Sequence, residues 1–366
     1  MLKPRYIMVG GFLGAGKTTA ILKAAELLQA RGERVGLITN DQSYGLVDTA
    51  MLNSHGFATE EITGGCFCCK FNSLVEAADK LNETTQPNMF IAEPVGSCTD
   101  LRSTVSYPLT QMYGDNFTIA PLSVLVDPVR AQQILGLKSG KTFSQKVLYI
   151  YEKQLEEADI IVVNKTDLLT DDERDRLVEA VESRWPQAKV MTMSARGSDG
   201  VEEWLEAVFS TDLDSIPSME VDYDIYADGE ALLGWLNLQA TADGDDFDGN
   251  RWLLDLAGHL QTRLSAEGAE IAHLKMTLTP DQGRDIAVAN LVRGEATAEL
   301  SHQLAESLDT GELLLNLRAE GDPELLRELV LQSLREMGEA GTLNVQITSV
   351  EAFRPGRPTP THRVVI

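Results

Sequence analysis

Eight residues near the start of the chain have the types and the spacing that bind a phosphate chain. The segment Gly11–Thr18 reads G-F-L-G-A-G-K-T and follows the apolar run Tyr6–Val9. Glycines at this spacing let successive backbone N–H groups point at phosphate oxygens, at the positive end of the helix that follows. Lys17 would neutralise the β- and γ-phosphates, and the Thr18 hydroxyl would bind the Mg²⁺ that bridges them. The alternative is a glycine-rich turn that matches by chance, but the flanking strand and helix patterns favour a nucleotide site. The predicted phosphate-binding residues are Gly14, Ala15, Gly16, Lys17, Thr18 and Thr19.

A second motif, N-K-T-D at Asn164–Asp167, follows the apolar run Ala158–Val163 and would read the base. The Asp167 carboxylate can accept from the N1–H and the exocyclic amine of guanine, whereas adenine lacks both donors. Asn164 would orient the loop, and the stem of Lys165 would lie along the purine face. The motif therefore favours GTP and GDP over ATP. The predicted base contacts are Asn164, Lys165 and Asp167, with the backbone N–H groups of Ser194 and Ala195 facing guanine O6.

Two acidic residues follow predicted strands, Asp41 after Val35–Thr39 and Glu93 after Met89–Ala92. Ligands of open α/β sheets bind at the carboxyl ends of the strands, so both carboxylates are expected near the Mg²⁺. Glu93 begins E-P-V-G, and an acid followed by Gly96 at this spacing can sense a γ-phosphate. For Asp41 the alternative is an ordinary turn aspartate at the end of a strand. The candidate catalytic residues are Lys17, Asp41 and Glu93, and the candidate Mg²⁺ ligands are Thr18, Asp41 and Glu93.

Three of the four cysteines lie within the motif G-G-C-F-C-C, at Cys66, Cys68 and Cys69, just before a helical pattern. A helix N-terminus lowers the pKa of a cysteine, and thiolates are the metal-binding form. Clustered thiolates suit Zn²⁺ first, then Cu(I), with Co²⁺ or Ni²⁺ as further candidates. The alternatives are cysteines that pack as small hydrophobic residues, or a closed structural zinc. Cys98 could complete the shell, although a lone buried thiol is the simpler interpretation.

Composition sets the class of the protein. The chain has 366 residues and a formal charge of −25, and from Glu220 onward 26 acidic residues face 11 basic ones. Nucleic acid is a poor partner for such a surface, and no apolar run approaches the length of a membrane helix. Clustered rather than dispersed cysteines indicate metal binding in a reduced, cytoplasmic setting. The length predicts about two domains.

The elements that position these residues alternate between apolar runs and helical patterns up to about residue 210. This alternation predicts an α/β domain with a doubly wound, mostly parallel sheet of the P-loop NTPase type. We predict a P-loop domain over residues 1–210, a linker over 211–224 and a smaller α+β domain over 225–366. In the latter the patterns predict strands near Leu232–Thr241, Ile271–Leu278, Ile286–Val292, Leu313–Arg318 and Leu343–Ala352, and helices near Arg251–Ser265 and Pro323–Met337. Residues 354–363 are predicted to form an extended tail with an exposed His362.

Together, G-F-L-G-A-G-K-T-T, G-G-C-F-C-C, E-P-V-G and N-K-T-D resemble the CobW-type metallochaperone GTPases, relatives of HypB, UreG and MeaB. The resemblance covers roughly the first 210 residues, and the C-x-C-C motif after two glycines is its hallmark. It implies that Cys66, Cys68 and Cys69 carry the metal and that the GTP and metal sites are coupled. Where such proteins usually have N-E-F-G, this chain has Asn40–Ser43 (N-D-Q-S), with Tyr44 following, and it has no histidine-rich stretch.

These motifs lead us to expect a GTP-binding and GTP-hydrolysing metallochaperone that passes a transition metal, zinc first, to a client metalloprotein. No glutamine follows Gly96 and no arginine finger is identifiable, so turnover should be slow without a client or a nucleotide-dependent homodimer. One alternative is a GTP-gated activator of a metal- or corrinoid-dependent enzyme that holds a structural zinc. Another is a scaffold that binds nucleotide without hydrolysing it.

Overall fold

The computed structural model describes residues 3–42, 47–210, 218–281, 285–341 and 343–365. The chain divides into two compact units. Unit 1 comprises Met1–Gln42, Phe57–Gly229 and Pro358–Ile366, and unit 2 comprises Ser43–Gly56 and Glu230–Arg357. The predictions for Ser43 and Tyr44, and for the linker over residues 211–217, lie outside the described residues. Among the described helices, none is both long enough and apolar enough to cross a membrane.

Unit 1 is built on an eight-stranded sheet in which all paired strands are parallel, as predicted. Its spatial order is β3-β2-β4-β1-β6-β7-β8, with β5 paired to β1. The strands are β1 Arg5–Gly11, β2 Val35–Asn40, β3 Ala58–Ile62, β4 Met89–Glu93, β5 Thr118–Ile119, β6 Ser123–Val126, β7 Ile160–Val163 and β8 Lys189–Thr192. The central strands are apolar and buried along their length because helices cover both faces of a parallel sheet.

Helices connect the parallel strands, as parallel pairing requires. Those in the first part of the chain are α1 Lys17–Ala30, α2 Val47–Ser54, α3 Phe71–Thr84, α4 Tyr107–Tyr113, α5 Pro128–Ile134, α6 Gln145–Glu156, α7 Asp171–Arg184, α8 Val201–Ser210 and α9 Tyr223–Leu232. A π-helical turn spans Arg102–Ser106 and a 3₁₀ turn spans Thr166–Leu168. The sequence patterns missed β3 and β5, because β3 is an edge strand with mostly half-buried side chains and β5 has only two residues.

Unit 2 contains a six-stranded antiparallel sheet in the order β12-β11-β10-β13-β9-β14. Its elements are β9 Leu233–Phe247, α10 Gly249–Ala266, β10 Glu270–Pro280, β11 Ala287–Leu291, β12 Glu299–His302, β13 Leu308–Glu320, α11 Pro323–Gly341 and β14 Asn344–Phe353. Leucines from both helices and from the central strands form one buried core. Each strand and helix predicted for residues 225–366 is present, and the prediction missed helix α9 and the short strand β12, which lies at the edge of the sheet.

The division into units differs from the predicted domains because two short segments each belong to a different unit from the residues next to them in sequence. Helix α2 belongs to unit 2, where the Val47 N–H donates to Asn316 Oδ1 at 3.0 Å. The Lys275 ammonium and the Asp48 carboxylate form an ion pair at 2.5 Å beside it. The C-terminal residues from Pro358 onward belong to unit 1. The structure therefore corrects the expectation of an exposed His362, whose half-buried ring lies edge-on to that of Phe71 at 5.0 Å.

A buried acid at the end of α6 holds the chain that follows Cys98. Glu157 accepts from the Arg102 N–H at 3.0 Å and from the Thr99 hydroxyl at 3.1 Å. Burial raises the pKa of Glu157 to about 8 from an ordinary value of 4.5. A carboxyl group with a raised pKa stabilises the fold most when it carries its proton. The stability of unit 1 should therefore depend on pH through Glu157.

We expect Glu157→Gln to flatten the pH dependence of stability. The contribution of the protonated Glu157 is complete below about pH 4.5 and is lost as the pH rises through about 8. Between pH 5 and 9 the wild type should therefore lose on the order of a few kcal/mol of unfolding free energy that the variant keeps. Urea unfolding at both pH values measures this. The matched control, Glu156→Gln on the same helix, alters a half-exposed ion pair with Lys153 and should behave as wild type.

Candidate nucleotide and metal site

The phosphate loop and the base-reading loop pack directly against each other. Gly16 precedes α1 with φ +88°, a left-handed conformation that favours glycine. The Asn164 side-chain amide donates to the Ala15 carbonyl at 2.9 Å, and Lys165 Nζ donates to the Gly14 carbonyl at 2.6 Å. A Cβ on Gly16 would lie 2.5 Å from Asn164 Nδ2. The loop can therefore close on a phosphate chain only if residue 16 has no side chain.

Glu93 reaches the start of α1, as its place at the end of β4 predicts. The Thr18 hydroxyl donates to Glu93 Oε1 at 3.2 Å, and Lys17 Nζ lies 3.7 Å from the same oxygen. All three side chains are buried. Two neighbouring ligands of an octahedral Mg²⁺ lie about 3 Å apart, so the Thr18 and Glu93 oxygens have the spacing and chemistry that fit this ion.

Asp41 lies one residue beyond β2 and is half-buried. Its N–H donates to the Ile62 carbonyl at 3.1 Å, and its carboxylate accepts from the Gln42 N–H at 2.6 Å. These contacts place Asp41 beside the segment that leads to the cysteines. Its role as a Mg²⁺ ligand remains a prediction.

The base-reading residues lie close together, but the two backbone N–H groups expected to face guanine O6 are engaged within the loop, that of Ser194 with the Asp199 carbonyl at 2.9 Å. Ser194 Oγ donates to Asp167 Oδ1 at 2.6 Å, and the Ala195 N–H donates to Asn164 Oδ1 at 3.1 Å. Asp167 is exposed, so its carboxylate is open to a base. Lys165 adopts a left-handed conformation with φ +56°, which turns the chain between strand β7 and the 3₁₀ turn. The loop that follows β7 and the loop that follows β8 thus form one surface at the carboxyl ends of these strands.

Two residues that the sequence analysis did not assign to the site also support it. Asp127 forms an ion pair with Lys165 at 2.9 Å and accepts from the Arg130 N–H at the start of α5. The buried Arg130 guanidinium donates to the Leu13 carbonyl at 2.8 Å, and it lies 4.8 Å from the centre of the Phe143 ring. The signal in the sequence was Asp127 followed by Pro128, a helix-capping pattern at a strand end. Nothing in the local pattern indicated that Arg130 would reach the phosphate loop.

The three cysteines of the C-x-C-C motif converge. The sulfur of Cys66 lies 2.8 Å from that of Cys68 and 3.3 Å from that of Cys69, and the remaining pair is 3.7 Å apart. A turn brings them together, in which the Cys69 N–H donates to the Cys66 carbonyl at 3.0 Å. Cys66 and Cys68 are buried, whereas Cys69 is partly exposed. Among the described residues, this is the only group of three or more histidine, cysteine or acidic side chains that converges closely enough to hold a metal.

Hydrogen bonding within the cluster separates the thiols by acidity. Hydrogen bonds from Cys68 and Cys69 hold the pKa of Cys66 well below its ordinary value. Hydrogen bonding to Cys66 raises the pKa of Cys68, and it raises that of Cys69 to about 11. Cys98, which is fully buried, also hydrogen-bonds to Cys66 and Cys68. Cys98 is therefore buried, as expected, and adjoins the cluster, but it is not among the three sulfur atoms that lie within 4.8 Å of one another, and its place in the metal shell remains a prediction.

Two buried amides connect this cluster to the phosphate end of the site. Asn40, the last residue of β2, donates to the Ile62 carbonyl at 3.0 Å and to the Gly65 carbonyl at 2.8 Å, directly before Cys66. Gln154 on α6 donates to the Gly96 carbonyl at 3.0 Å and to the Cys98 carbonyl at 2.8 Å.

The loop Glu93–Cys98 spans the whole distance between the two halves of the site. Gly96 lies against the phosphate loop, since a Cβ there would meet the Leu13 side chain at 2.7 Å. One end of the segment contacts Thr18 and the other contacts the thiols.

The sheet, the phosphate loop and the base-reading loop together define a nucleotide-binding protein of the P-loop class. The family model described as "CobW/HypB/UreG, nucleotide-binding domain" matches residues 5–192, just over half of the chain. The chain therefore belongs to the CobW/HypB/UreG family.

Relatives of known name match the same part of the chain. A zinc chaperone CobW from Sinorhizobium sp is 30% identical over 210 residues, which are 52% of this chain and 58% of that protein. The zinc chaperone YeiR of Escherichia coli K12 is 28% identical over 185 residues, 49% of this chain and 50% of YeiR. The chain thus spans between half and three fifths of the length of these curated relatives.

Similarity to solved structures is weaker. HypB from Helicobacter pylori in complex with nickel has a TM-score of 0.43 at 18% identity, and covers 58% of this chain and 91% of that one. Zn(II)-bound YjiA GTPase from E. coli has a TM-score of 0.38 at 15% identity, and covers 92% and 99%.

We expect Gly16→Ala to weaken nucleotide binding by at least about tenfold without unfolding the protein. The new methyl group would displace the Asn164 amide and separate the two loops. The control is Gly32→Ala, because Gly32 has a similar φ of +85° but nothing within 4 Å of a Cβ. Both variants bear the same order of backbone strain, about 1 kcal/mol. Titration with a fluorescent GDP analogue distinguishes them, and equal affinities would contradict the proposed loop packing.

Proposed function

We propose that this protein is a GTP-binding and GTP-hydrolysing metallochaperone, which binds a transition metal through Cys66, Cys68 and Cys69 and transfers it to a client protein. The observation that carries the proposal is the loop Glu93–Cys98, which contacts the start of α1 at one end and the thiol cluster at the other. The named relatives that are zinc chaperones make Zn²⁺ the first candidate ion. Co²⁺ and Ni²⁺ remain candidates, because a thiolate site accepts all three.

We propose selectivity for guanine because the Asp167 carboxylate in the base-reading loop can accept hydrogen bonds from this base. Asp167 is exposed and anchored by Ser194, so its second carboxylate oxygen can accept from guanine. Adenine would offer no donor to this carboxylate and would leave it unpaired. Lys165 is held over the phosphate loop by Asp127, which keeps its stem beside the base.

Hydrolysis is proposed from the residues around the terminal phosphate. Lys17 would hold the β- and γ-phosphates, Gly96 would face the γ-phosphate through its N–H, and Thr18 with Glu93 would hold Mg²⁺, with Asp41 as a further ligand. The bound Mg²⁺ would supply neutralisation of the developing phosphate charge. Glu93 contacts both Thr18 and Lys17, so a bound phosphate chain with Mg²⁺ would exchange these contacts for new ones.

The same exchange would act on the metal. We infer that a γ-phosphate sets the position of Gly96. Because the Gln154 amide donates to the carbonyls of both Gly96 and Cys98, a shift of Gly96 would also move Cys98. Cys98 would then complete or open the ligand shell of the cargo ion. Full switching between a 1:99 and a 99:1 distribution of two states takes about 5.5 kcal/mol of differential binding. GTP would thus favour a closed, four-thiolate site, and hydrolysis would favour an open one from which a client can take the metal.

A second candidate is a GTP-gated activator of a metalloenzyme with a permanent structural zinc. The burial of Cys66 and Cys68 favours it, because structural zinc sites are closed. It predicts that chelators unfold unit 1, whereas a cargo site predicts that chelators remove the ion and leave the fold intact.

We expect Lys17→Ala to reduce GTP hydrolysis at least about a hundredfold while zinc affinity, measured without nucleotide, stays within about threefold of wild type. Lys17 would bind the phosphates and reaches Glu93 only at 3.7 Å, whereas Cys66, Cys68 and Cys69 lie on another loop. The control is Lys23→Ala on the same helix, which removes only a surface ion pair with Glu26. Phosphate release and competition with a zinc indicator provide the two measurements. Loss of zinc binding in a folded Lys17→Ala protein would contradict the separation of roles.

A further inference from the structure

The C-terminal segment Pro358–Val365, hereafter the tail, lies against the cysteine turn. The Thr361 N–H donates to the Cys68 carbonyl at 2.8 Å, and the Thr361 hydroxyl donates to the Cys69 carbonyl at 3.1 Å. The Thr359 N–H donates to the sulfur of Cys69 at 3.2 Å. Thr361 thus contacts the backbone of the metal motif, and Thr359 contacts a predicted ligand atom.

The tail is anchored by a buried charge. The Arg363 guanidinium donates to the Asp100 carboxylate at 2.7 Å, and Asp100 is almost fully buried. The Tyr223 hydroxyl donates to the same carboxylate oxygen at 2.6 Å. The Val364 N–H donates to the Ser103 carbonyl at 2.8 Å. These contacts fix the end of the tail beside the loop that carries Cys98.

The tail lies at the open side of the thiol cluster. Of the three sulfur-bearing residues in the motif, only Cys69 is partly exposed. The Thr359 amide occupies this side, and the His362 ring packs on Phe71, the first residue of the helix after the motif. An ion that enters or leaves past Cys69 must therefore pass the tail.

We propose that the tail is the outer shell of the metal site, with the Thr359 N–H as a positioning donor to the Cys69 thiolate and Arg363 as the anchor that keeps it there. This inference rests on the proposed function, because it assumes that Cys69 binds the cargo metal. A backbone N–H that donates to a coordinated sulfur stabilises the thiolate and fixes its direction. Outer-shell partners of this kind typically change metal affinity by 10- to 100-fold. The tail thereby slows release until a client or a nucleotide-driven change displaces it.

The experiment uses the full chain loaded with Co²⁺, whose sulfur-to-metal charge-transfer band reports the thiolates, and follows transfer of Co²⁺ to a chelator. Thr359→Pro removes the single N–H. The ring Cδ takes the place of the amide hydrogen that points at the Cys69 sulfur, so the variant also moves the tail away from this sulfur, and Thr359 has no left-handed φ that would exclude proline. Thr359→Ala is the matched control, because it removes the side chain and keeps the N–H.

We expect Thr359→Pro to release Co²⁺ about tenfold faster than wild type and to shift the charge-transfer band to lower energy, while Thr359→Ala matches wild type in both. Arg363→Ala should release the ion faster by a similar factor, and Arg363→Lys should restore part of the retention. Nucleotide affinity should be unchanged in all four variants, which also shows that unit 1 is folded.

The inference is overturned if Thr359→Pro has the rate and the spectrum of wild type, or if Thr359→Ala changes them as much as Thr359→Pro does. Failure of the proposed function appears differently. In that case wild-type protein develops no sulfur-to-metal band when Co²⁺ is added, and the inference about the tail falls with it. Arg363→Ala alone does not decide the matter if it fails to fold, because Thr359→Pro leaves the Arg363–Asp100 ion pair in place.

Discussion

The hydrogen bond from Thr18 to Glu93 fixes one end of a short loop on which the rest of the account depends. Glu93 ends β4 and Cys98 lies only five residues later, so the loop cannot extend much beyond about 20 Å. Gly96 packs on Leu13, and Gln154 holds Gly96 and Cys98 through one amide group. We therefore expect a displacement at the phosphate end to be passed on to the thiol end. This is a local mechanical constraint, and it needs no long-range rearrangement.

A second constraint acts through the end of β2. Asn40 donates to two carbonyl groups of the segment that delivers Cys66, and the neighbouring Asp41 is the predicted Mg²⁺ ligand. After Gln42 the chain leaves unit 1 and supplies α2 to unit 2. The two constraints join the same pair of sites by independent routes. Coupling of a few kcal/mol could thus be shared between them.

Much of this architecture could be predicted from local sequence signals. The phosphate loop and N-K-T-D are recognisable because their chemistry requires fixed residues at fixed spacing, and both lie at strand ends where the fold places them. The convergence of Cys66 and Cys69 followed from one turn of chain. The long strands and helices of unit 2 were found because their apolar periodicity is strong.

The rest depended on contacts between residues distant in sequence, which leave no local signal. Cys98 was interpreted as a lone thiol because nothing near it in sequence is a ligand, yet folding brings it to Cys66. His362 was expected in solvent because its neighbours are prolines and polar residues, yet the tail returns to Phe71. Arg130 reaches the phosphate loop from more than a hundred residues away. Short edge strands were missed because few of their side chains are buried.

The central claim is that the nucleotide state sets the metal affinity of the thiol cluster. Its most direct test is the ratio of zinc dissociation constants measured with GDP and with a non-hydrolysable GTP analogue, in the presence of Mg²⁺. We expect binding at least about tenfold tighter with the GTP analogue, equivalent to about 1.4 kcal/mol of coupling, and a ratio near one in Cys98→Ser. Equal zinc affinities in the two nucleotide states of the wild type would contradict it.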